Sequence, residues 1–134
     1  MVGVGVADGL TVGEAVRVRV FVTAIVFSPD GSQLITASQD GTVRLWSAAD
    51  GKLLNVLYGH MGSLWDLALS PDGTLLAAGG DYGSIRVWRL EDGASLNLLT
   101  IPVGEWISSV AFSPDGKLLA SSSFDQTVWL WGIP

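Results

Sequence analysis

Residues 24–59 read AIVFSPDGSQLITASQDGTVRLWSAADGKLLNVLYG, and the chain repeats this stretch. It returns from Asp66 as DLALSPDGTLLAAGGDYGSIRVWRLEDGASLNLLT and, shortened, from Ser109 as SVAFSPDGKLLASSSFDQTVWLW. Ser-Pro-Asp-Gly falls at 28–31, 70–73 and 113–116, with spacings of 42 and 43. Trp46, Trp88 and Trp131 keep the same spacings. Asp-Gly falls at 8–9, 50–51 and 92–93, spaced 42 and 42. Three separate markers on one period in the forties signal a repeat architecture.

Within each period the pattern is that of strands. Ile25–Phe27, Leu34–Ala37 and Thr42–Trp46 are short runs rich in β-branched and aromatic residues, each bounded by turn chemistry. Ser-Pro-Asp-Gly combines a proline-fixed φ, an aspartate that bonds its own backbone, and a glycine for φ > 0. Asp50-Gly51 and Asp92-Gly93 suit two-residue hairpin turns. No ten-residue segment keeps a clean helical period. The reading is four short strands per unit, a to d, in a small antiparallel sheet.

The Ser-Pro-Asp-Gly turns, the segment Ser38-Gln39-Asp40-Gly41-Thr42-Val43-Arg44-Leu45-Trp46, and Gly59-His60 ahead of Leu64-Trp65-Asp66-Leu67-Ala68-Leu69 make this chain resemble the WD40 β-propeller family. The resemblance covers about residues 20–131. It implies an all-β fold, a partial WD40-type β-propeller of three four-stranded antiparallel blades set face to face around a channel. It also implies a rigid interaction platform and not an enzyme. The Trp-Asp dipeptide that gives the family its name is absent: Ser47, Arg89 and Gly132 follow the three tryptophans.

On this frame the repeats fall at about 22–59, 60–102 and 103–134, after an N-terminal segment 1–21. Strands are expected over Val22–Leu57, Leu64–Thr100 and Ile107–Trp131, and the last unit has strands a, b and c but no d. Asp8 lies 20 residues before Ser28, as Asp50 lies 20 before Ser70. Residues 10–15 therefore stand where a d strand belongs, and 1–21 reads as a degenerate d strand and closure segment. The alternative is one long strand, Val16–Ser28, with Val16, Val18, Val20 and Val22 sharing a face. Propellers take about four to eight blades, so three do not close alone. An open arc exposes apolar faces and an unpaired edge at Val128–Trp131, and such surfaces drive association. The expected partners on that count are a second copy, making a homodimer, or the missing blades of a larger propeller.

Composition narrows the function classes. The 134 residues are 49% hydrophobic and 15% charged, too apolar for disorder. Seven basic against thirteen acidic residues give a net charge of −6. That balance argues against nucleic acid, which is gripped by Lys and Arg clusters. With no cysteine there is no disulfide and no thiolate catalysis, and one histidine makes an all-protein zinc site unexpected. No cofactor is expected: Gly3-Val4-Gly5 lacks the third glycine and the helix of a dinucleotide site. Glu91-Asp92 reads as a solvated turn pair. The start, MVGVGVADGLTVGEAV, has no basic residue and does not read as a signal peptide. Val20–Phe27 is too short to span a bilayer. The expectation is a soluble cytoplasmic protein without membrane contact.

His60, Asp40, Asp125, Ser38 and Ser123 are the residue types of a hydrolytic triad. The resemblance implies a structural use instead. A loop His, a strand-b Ser or Thr, a turn Asp and a strand-c Trp form a hydrogen-bonded network inside a blade, satisfying groups that are costly to bury unpaired. Blade 1 would carry Ser38, Asp40 and Trp46, and blade 3 Ser123, Asp125 and Trp131, with Val18 and Val103 at the His position. Blade 2 would carry His60 and Trp88, with Gly80 in place of the Ser and Tyr82 at the Asp position. No blade is complete. Arg44 and Arg86 hold matching outward positions on strand c where blade 3 has Trp129, which reads as ordinary packing or as the lining of a blade or subunit contact.

The ligand face that the resemblance implies is built by the d–a and b–c loops. Its positions here are Phe21, Ser63 and Trp106 at the start of strand a, with Thr23, Trp65 and Ser108 one ring inward. Gln39, Asp81 and Phe124 precede the turn aspartate position. Four of these nine are large aromatics, the composition of an interface hot spot. The competing reading is that Trp65 and Trp106 pack on neighbouring blades. The expected function is a non-catalytic scaffold that binds a protein or peptide on its loop face. Its alternatives are a structural propeller fragment that self-assembles or completes a larger propeller and, behind both, a propeller enzyme or small-ligand binder.

Overall fold

The computed structural model of the chain describes residues 5–7, 10–12, 21–60, 62–102 and 104–134. Apart from one short 3-10 turn at Asp81–Gly83, its regular elements are all strands. β1 (Gly5–Ala7) and β2 (Leu10–Val12) pair with each other. β3 (Val22–Phe27), β4 (Gln33–Ser38), β5 (Val43–Ser47) and β6 (Leu53–Leu57) form an antiparallel sheet in chain order, sheet 1. β7 (Leu64–Leu69), β8 (Leu75–Gly80), β9 (Ser84–Arg89) and β10 (Ala94–Thr100) form sheet 2 in the same order. β11 (Ile107–Phe112), β12 (Leu118–Ser123) and β13 (Val128–Gly132) form sheet 3, which has three strands. The architecture is the expected partial propeller, and among the described residues the third blade has no outer strand. Leu10–Val12 is extended, as a d strand would be, but its partner is Gly5–Ala7. The long-strand reading of Val16–Ser28 finds its strand only from Val22; residues 16–20 lie outside the described residues.

The turns follow from their residues. In each Ser-Pro-Asp-Gly the serine hydroxyl donates to the aspartate carboxylate, and the glycine takes a φ between 72° and 75°. The carboxylate also accepts the N–H of the residue after the glycine, at 2.9–3.0 Å. A β-carbon is poorly tolerated at that φ, which is why glycine recurs there. The serine oxygen meanwhile accepts the first N–H of the next strand, so each turn is stapled at both ends.

Strand alternation sends neighbouring side chains to opposite faces, and the sheets use both. β8 is the clearest case. Leu76 and Ala78 join Ile35, Val43, Leu45 and Leu57 in a core between sheets 1 and 2. Ala77, one residue away, turns to Ile107, Val110 and Leu119 in a second core between sheets 2 and 3. Close approach of β11 depends on Gly79, where a β-carbon would stand 2.4 Å from the Ile107 Cγ2. Polar ties join the inner strands. Thr23 donates its hydroxyl to the Leu64 carbonyl at 2.7 Å, and the Asp66 carboxylate accepts the Val110 N–H at 2.9 Å and the Ser109 hydroxyl at 3.0 Å.

Candidate functional site

The loop face is held by one tie repeated in every sheet. The backbone N–H of Gln39 donates to the Phe21 carbonyl, that of Asp81 to the Ser63 carbonyl, and that of Phe124 to the Trp106 carbonyl, each at 3.0 Å. The tie joins the b–c turn to the start of strand a and brings the predicted rim residues together in pairs. Between sheets 1 and 2 the Ser63 hydroxyl adds a bond to the Gln39 carbonyl at 2.9 Å.

On this rim the predicted aromatics gather on the side of sheets 2 and 3. Trp65 stacks on Trp106 with ring centroids 5.2 Å apart, and Trp106 meets Phe124 edge to face at 5.6 Å. Such offset and edge-on pairs are the arrangements the ring quadrupoles favour. The cluster is open to solvent: Trp106 is 48% exposed and Phe124 63%. Trp65 is half-buried and fixed by its indole N–H, which donates to Asp81 Oδ1 at 2.7 Å. Asp81 Oδ2 accepts the Ser63 N–H at 2.8 Å, so one carboxylate positions two loops. The Trp65–Trp106 pair bridges two blades, as the packing reading expects, and Trp106 keeps an open face. Phe21 is also exposed but stands over sheet 1. Thr23 spends its hydroxyl between sheets, and Ser108 bonds Ser122 at 2.8 Å.

Tyr82, which sequence reasoning gave no binding role, is exposed at the same rim with φ of 62°. It lies in the left-handed region that side chains other than glycine seldom enter. Its one signal was a tyrosine at the position that Asp40 and Asp125 hold in the other two repeats.

The internal network differs from the one expected. Trp46 Nε1 donates to Thr36 Oγ1 and Trp131 Nε1 to Ser121 Oγ, each at 3.0 Å; Ser38 and Ser123 are not their partners. Register gives the reason. Trp46 lies opposite Leu34 and Trp131 opposite Leu119, so the same-face neighbour within reach is two residues on, at Thr36 and Ser121. Ser38 and Ser123 are two residues further still. In sheet 2 the matching position is Ala78, and Trp88 Nε1 donates instead to the Tyr58 carbonyl at 3.1 Å. Ser38 hydrogen-bonds Asp40, whose carboxylate also accepts the Thr42 N–H and pairs with Arg44 at 3.3 Å. Asp125 likewise holds the Thr127 N–H at 2.9 Å. These aspartates shape turns. Val18 and Val103 lie outside the described residues.

His60 packs against Gly80, where a β-carbon would stand 2.4 Å from its Cε1 and 2.3 Å from the Ser63 carbonyl oxygen. The Ser63 main chain and the His60 ring together leave no room for a side chain at Gly80. His60 Nε2 lies 2.9 Å from Ser84 Oγ, and that hydroxyl donates to the Asp81 carbonyl at 2.8 Å. With the serine proton committed, Nε2 is left to donate. Burial holds the His60 pKa below its ordinary value and keeps the ring neutral. Trp129 stacks on Trp131 at 5.7 Å and packs against the core between sheets 2 and 3, a blade–blade contact.

The chain is similar in sequence to known proteins. The family model described as WD domain, G-beta repeat matches residues 17–47, 51–89 and 97–132. The chain is 37% identical over 111 residues, 81% of its length, to WD repeat and SOCS box-containing protein 1 of Xenopus tropicalis, and covers 16% of that protein. It is 48% identical over 52 residues, 36% of its length, to human WD repeat-containing protein 86, covering 14% of it. It is 27% identical over 114 residues, 84% of its length, to pre-mRNA-processing factor 19 of Caenorhabditis elegans, covering 23% of it. The chain thus spans less than a quarter of each of these relatives. The second family match runs from just before β6 of sheet 1 to the end of β9 in sheet 2, so one sequence repeat supplies an outer strand to one sheet and the three inner strands of the next. With that offset repeat matched three times over its sheets, the chain belongs to the WD40 repeat family.

Proposed function

We propose that this chain is a non-catalytic protein-interaction scaffold whose loop face binds a protein or peptide at Trp106, Phe124, Trp65 and Tyr82. The observation that carries the reading is the Trp65–Trp106–Phe124 cluster, open to solvent on loops tied down by backbone hydrogen bonds. Hot spots favour rigid, large aromatic anchors because they bury much area at little conformational cost. Phe21, Thr23, Gln39, Ser63, Asp81 and Ser108 form the polar and outlying remainder of the rim. The committed hydroxyl of Ser84 and the donor role of His60 Nε2 support the non-catalytic part, because that nitrogen is not free to act as a base toward the serine.

The setting proposed for this activity is the cytoplasm; no helix among the described residues is long and apolar enough to cross a membrane. Residues 1–21 are proposed as a closure segment and 22–59, 60–102 and 103–134 as the three repeats. A second reading, self-association or completion of a larger propeller, is favoured by apolar residues exposed on the outward faces of sheets 1 and 3.

The test compares proteins captured from a lysate by the immobilised chain with those captured by Trp106→Ala and Phe124→Ala. The expected result is loss of the captured set by both variants, with circular dichroism and mass unchanged. An unchanged set on folded variants would refute the loop-face reading.

A further inference from the structure

We propose that a second copy of this chain seats the open face of its sheet 1 on the outer face of sheet 3, so that two copies close one ring of six sheets. The argument is positional. Val43 and Leu45, Ile85 and Val87, and Val128 and Leu130 are the same two strand-c positions in successive repeats. Sheet 2 buries the first pair and sheet 3 the second. Val128 and Leu130 are 73% and 67% exposed. The opposite face shows the reverse order. Leu67 and Val110 lie against the preceding sheet at 5% exposure each, while their counterpart Ile25 in sheet 1 is 60% exposed, with Phe27 open beside it.

The chain therefore carries two half-interfaces on opposite sides, and its interior holds two finished examples of how they join. Those examples fix the polarity, and a second copy is an occupant that offers both complementary faces. What lies on a Val128–Leu130 type of surface is always the Leu67 or Val110 type of surface, never a second copy of itself. Ile25, Phe27, Val128 and Leu130 are apolar, and Arg44, which shares the open face of sheet 1, is already paired with Asp40 at 3.3 Å. Three sheets are too few to close, whereas six fall within the usual range of about four to eight. Because each copy offers both halves, two head-to-tail contacts satisfy every face and growth stops. This surface is separate from the loop face, so the fate of either proposal leaves the other standing.

The test is absolute mass by light scattering on a size-exclusion column, across a concentration range. The expected mass for the chain is twice the 14.1 kDa of one copy. Ile25→Asp and Leu130→Lys should each halve it with circular dichroism unchanged, since both side chains are exposed in the single chain. Mixed in equal amounts, the two variants should recover the doubled mass: one contact in the mixed pair is unaltered and the other sets the new carboxylate against the new ammonium. The chain has no cysteine, so Phe27→Cys and Leu130→Cys supply a second measurement. Oxidation should link them only in the mixture. A single-copy mass at every concentration, a mass other than double, or disulfide linkage of Leu130→Cys to itself would overturn the proposal. Trp106→Ala should leave the doubled mass intact.

Discussion

Gly79→Ala is expected to destabilise the chain through a single methyl group. Gly79 lies in β8, in an extended strand where alanine meets no backbone strain. Its β-carbon would stand 2.4 Å from Ile107 Cγ2, 3.0 Å from Ile107 Cβ and 3.2 Å from Val110 Cγ1. Carbon atoms settle at roughly 3.5–4.0 Å, so β11 must retreat by about 1 Å or Ile107 must leave its rotamer. Ile107 is fully buried and cannot swing into solvent. Overpacking of this kind costs about 1–3 kcal/mol, a large part of a total of roughly 5–15 kcal/mol. The assay is urea unfolding followed by far-UV circular dichroism, at one fixed protein concentration. Gly132→Ala, where nothing lies within 4 Å of the added carbon, serves as the neutral control. Ile107→Ala alone should cost about 2–5 kcal/mol, the usual range for emptying a core site. Combined with Gly79→Ala it should cost less than the sum, by about 1–3 kcal/mol, because the colliding methyl has gone. Strict additivity would refute the claim that sheets 2 and 3 meet at this contact.

Four further outcomes are expected. Gly80→Ser should destabilise the chain, because its β-carbon would collide with both the Ser63 carbonyl oxygen and the His60 ring, and His60→Ala in the same chain should relieve only the part due to the ring, as urea unfolding of the variants would show. Thr36→Val should cost about 1–3 kcal/mol by leaving the buried Trp46 indole N–H unpaired, whereas Ser38→Ala leaves that bond intact, as unfolding of the two variants would show. The Asp72 carboxyl is lowered from 3.8 to about 2 by bonds from the Ser70 hydroxyl and from Thr74, and Asp30 is lowered to about 2 by bonds from Ser32 and Ser28. A depressed carboxyl stabilises the fold above its unfolded value, so the urea midpoint should drop as pH falls from 3.8 toward 2, and Asp72→Asn should flatten that drop. His60, lowered by burial, favours its neutral form when folded; stability should therefore decline as pH falls below 6.5, and His60→Ala should remove that decline.

The repeat and its strands were legible because turn chemistry is local. Ser-Pro-Asp-Gly writes its own hydrogen bonds within a few residues, and its period sets the sheets. The rim positions were legible for a related reason: residues 42 or 43 apart, such as 21, 63 and 106, or 23, 65 and 108, or 39, 81 and 124, recur at the same place in successive sheets. That Trp65, Trp106 and Phe124 meet, each from a different one of these rows, depends on contact between sheets. What was misread depended on register across strands. Ser38 and Thr36 share a face of β4, and only the pairing of Trp46 with Leu34 selects Thr36 as the indole's partner. The role of Asp66 depended on contact between sheets, since its carboxylate reaches β11 from β7, and no spacing within one repeat announces such a bond. Gly80 looked like a defect in the network and is instead the clearance that the Ser63 carbonyl and the His60 ring need.

The three ties from b–c turn to strand a run backbone to backbone, from Gln39 to Phe21, Asp81 to Ser63 and Phe124 to Trp106. None of them uses a side chain. The main chain of the rim is thus indifferent to what is displayed at those six positions, much as a printing forme is indifferent to the type set in it. Variation at 21, 39, 106 and 124 alters the displayed surface without breaking the ties beneath it. Asp81 and Ser63 are the exceptions: the Asp81 carboxylate holds the Trp65 indole and the Ser63 N–H, and the Ser63 hydroxyl holds the Gln39 carbonyl. A combinatorial library for new specificities should therefore randomise the four and leave Ser63 and Asp81 fixed.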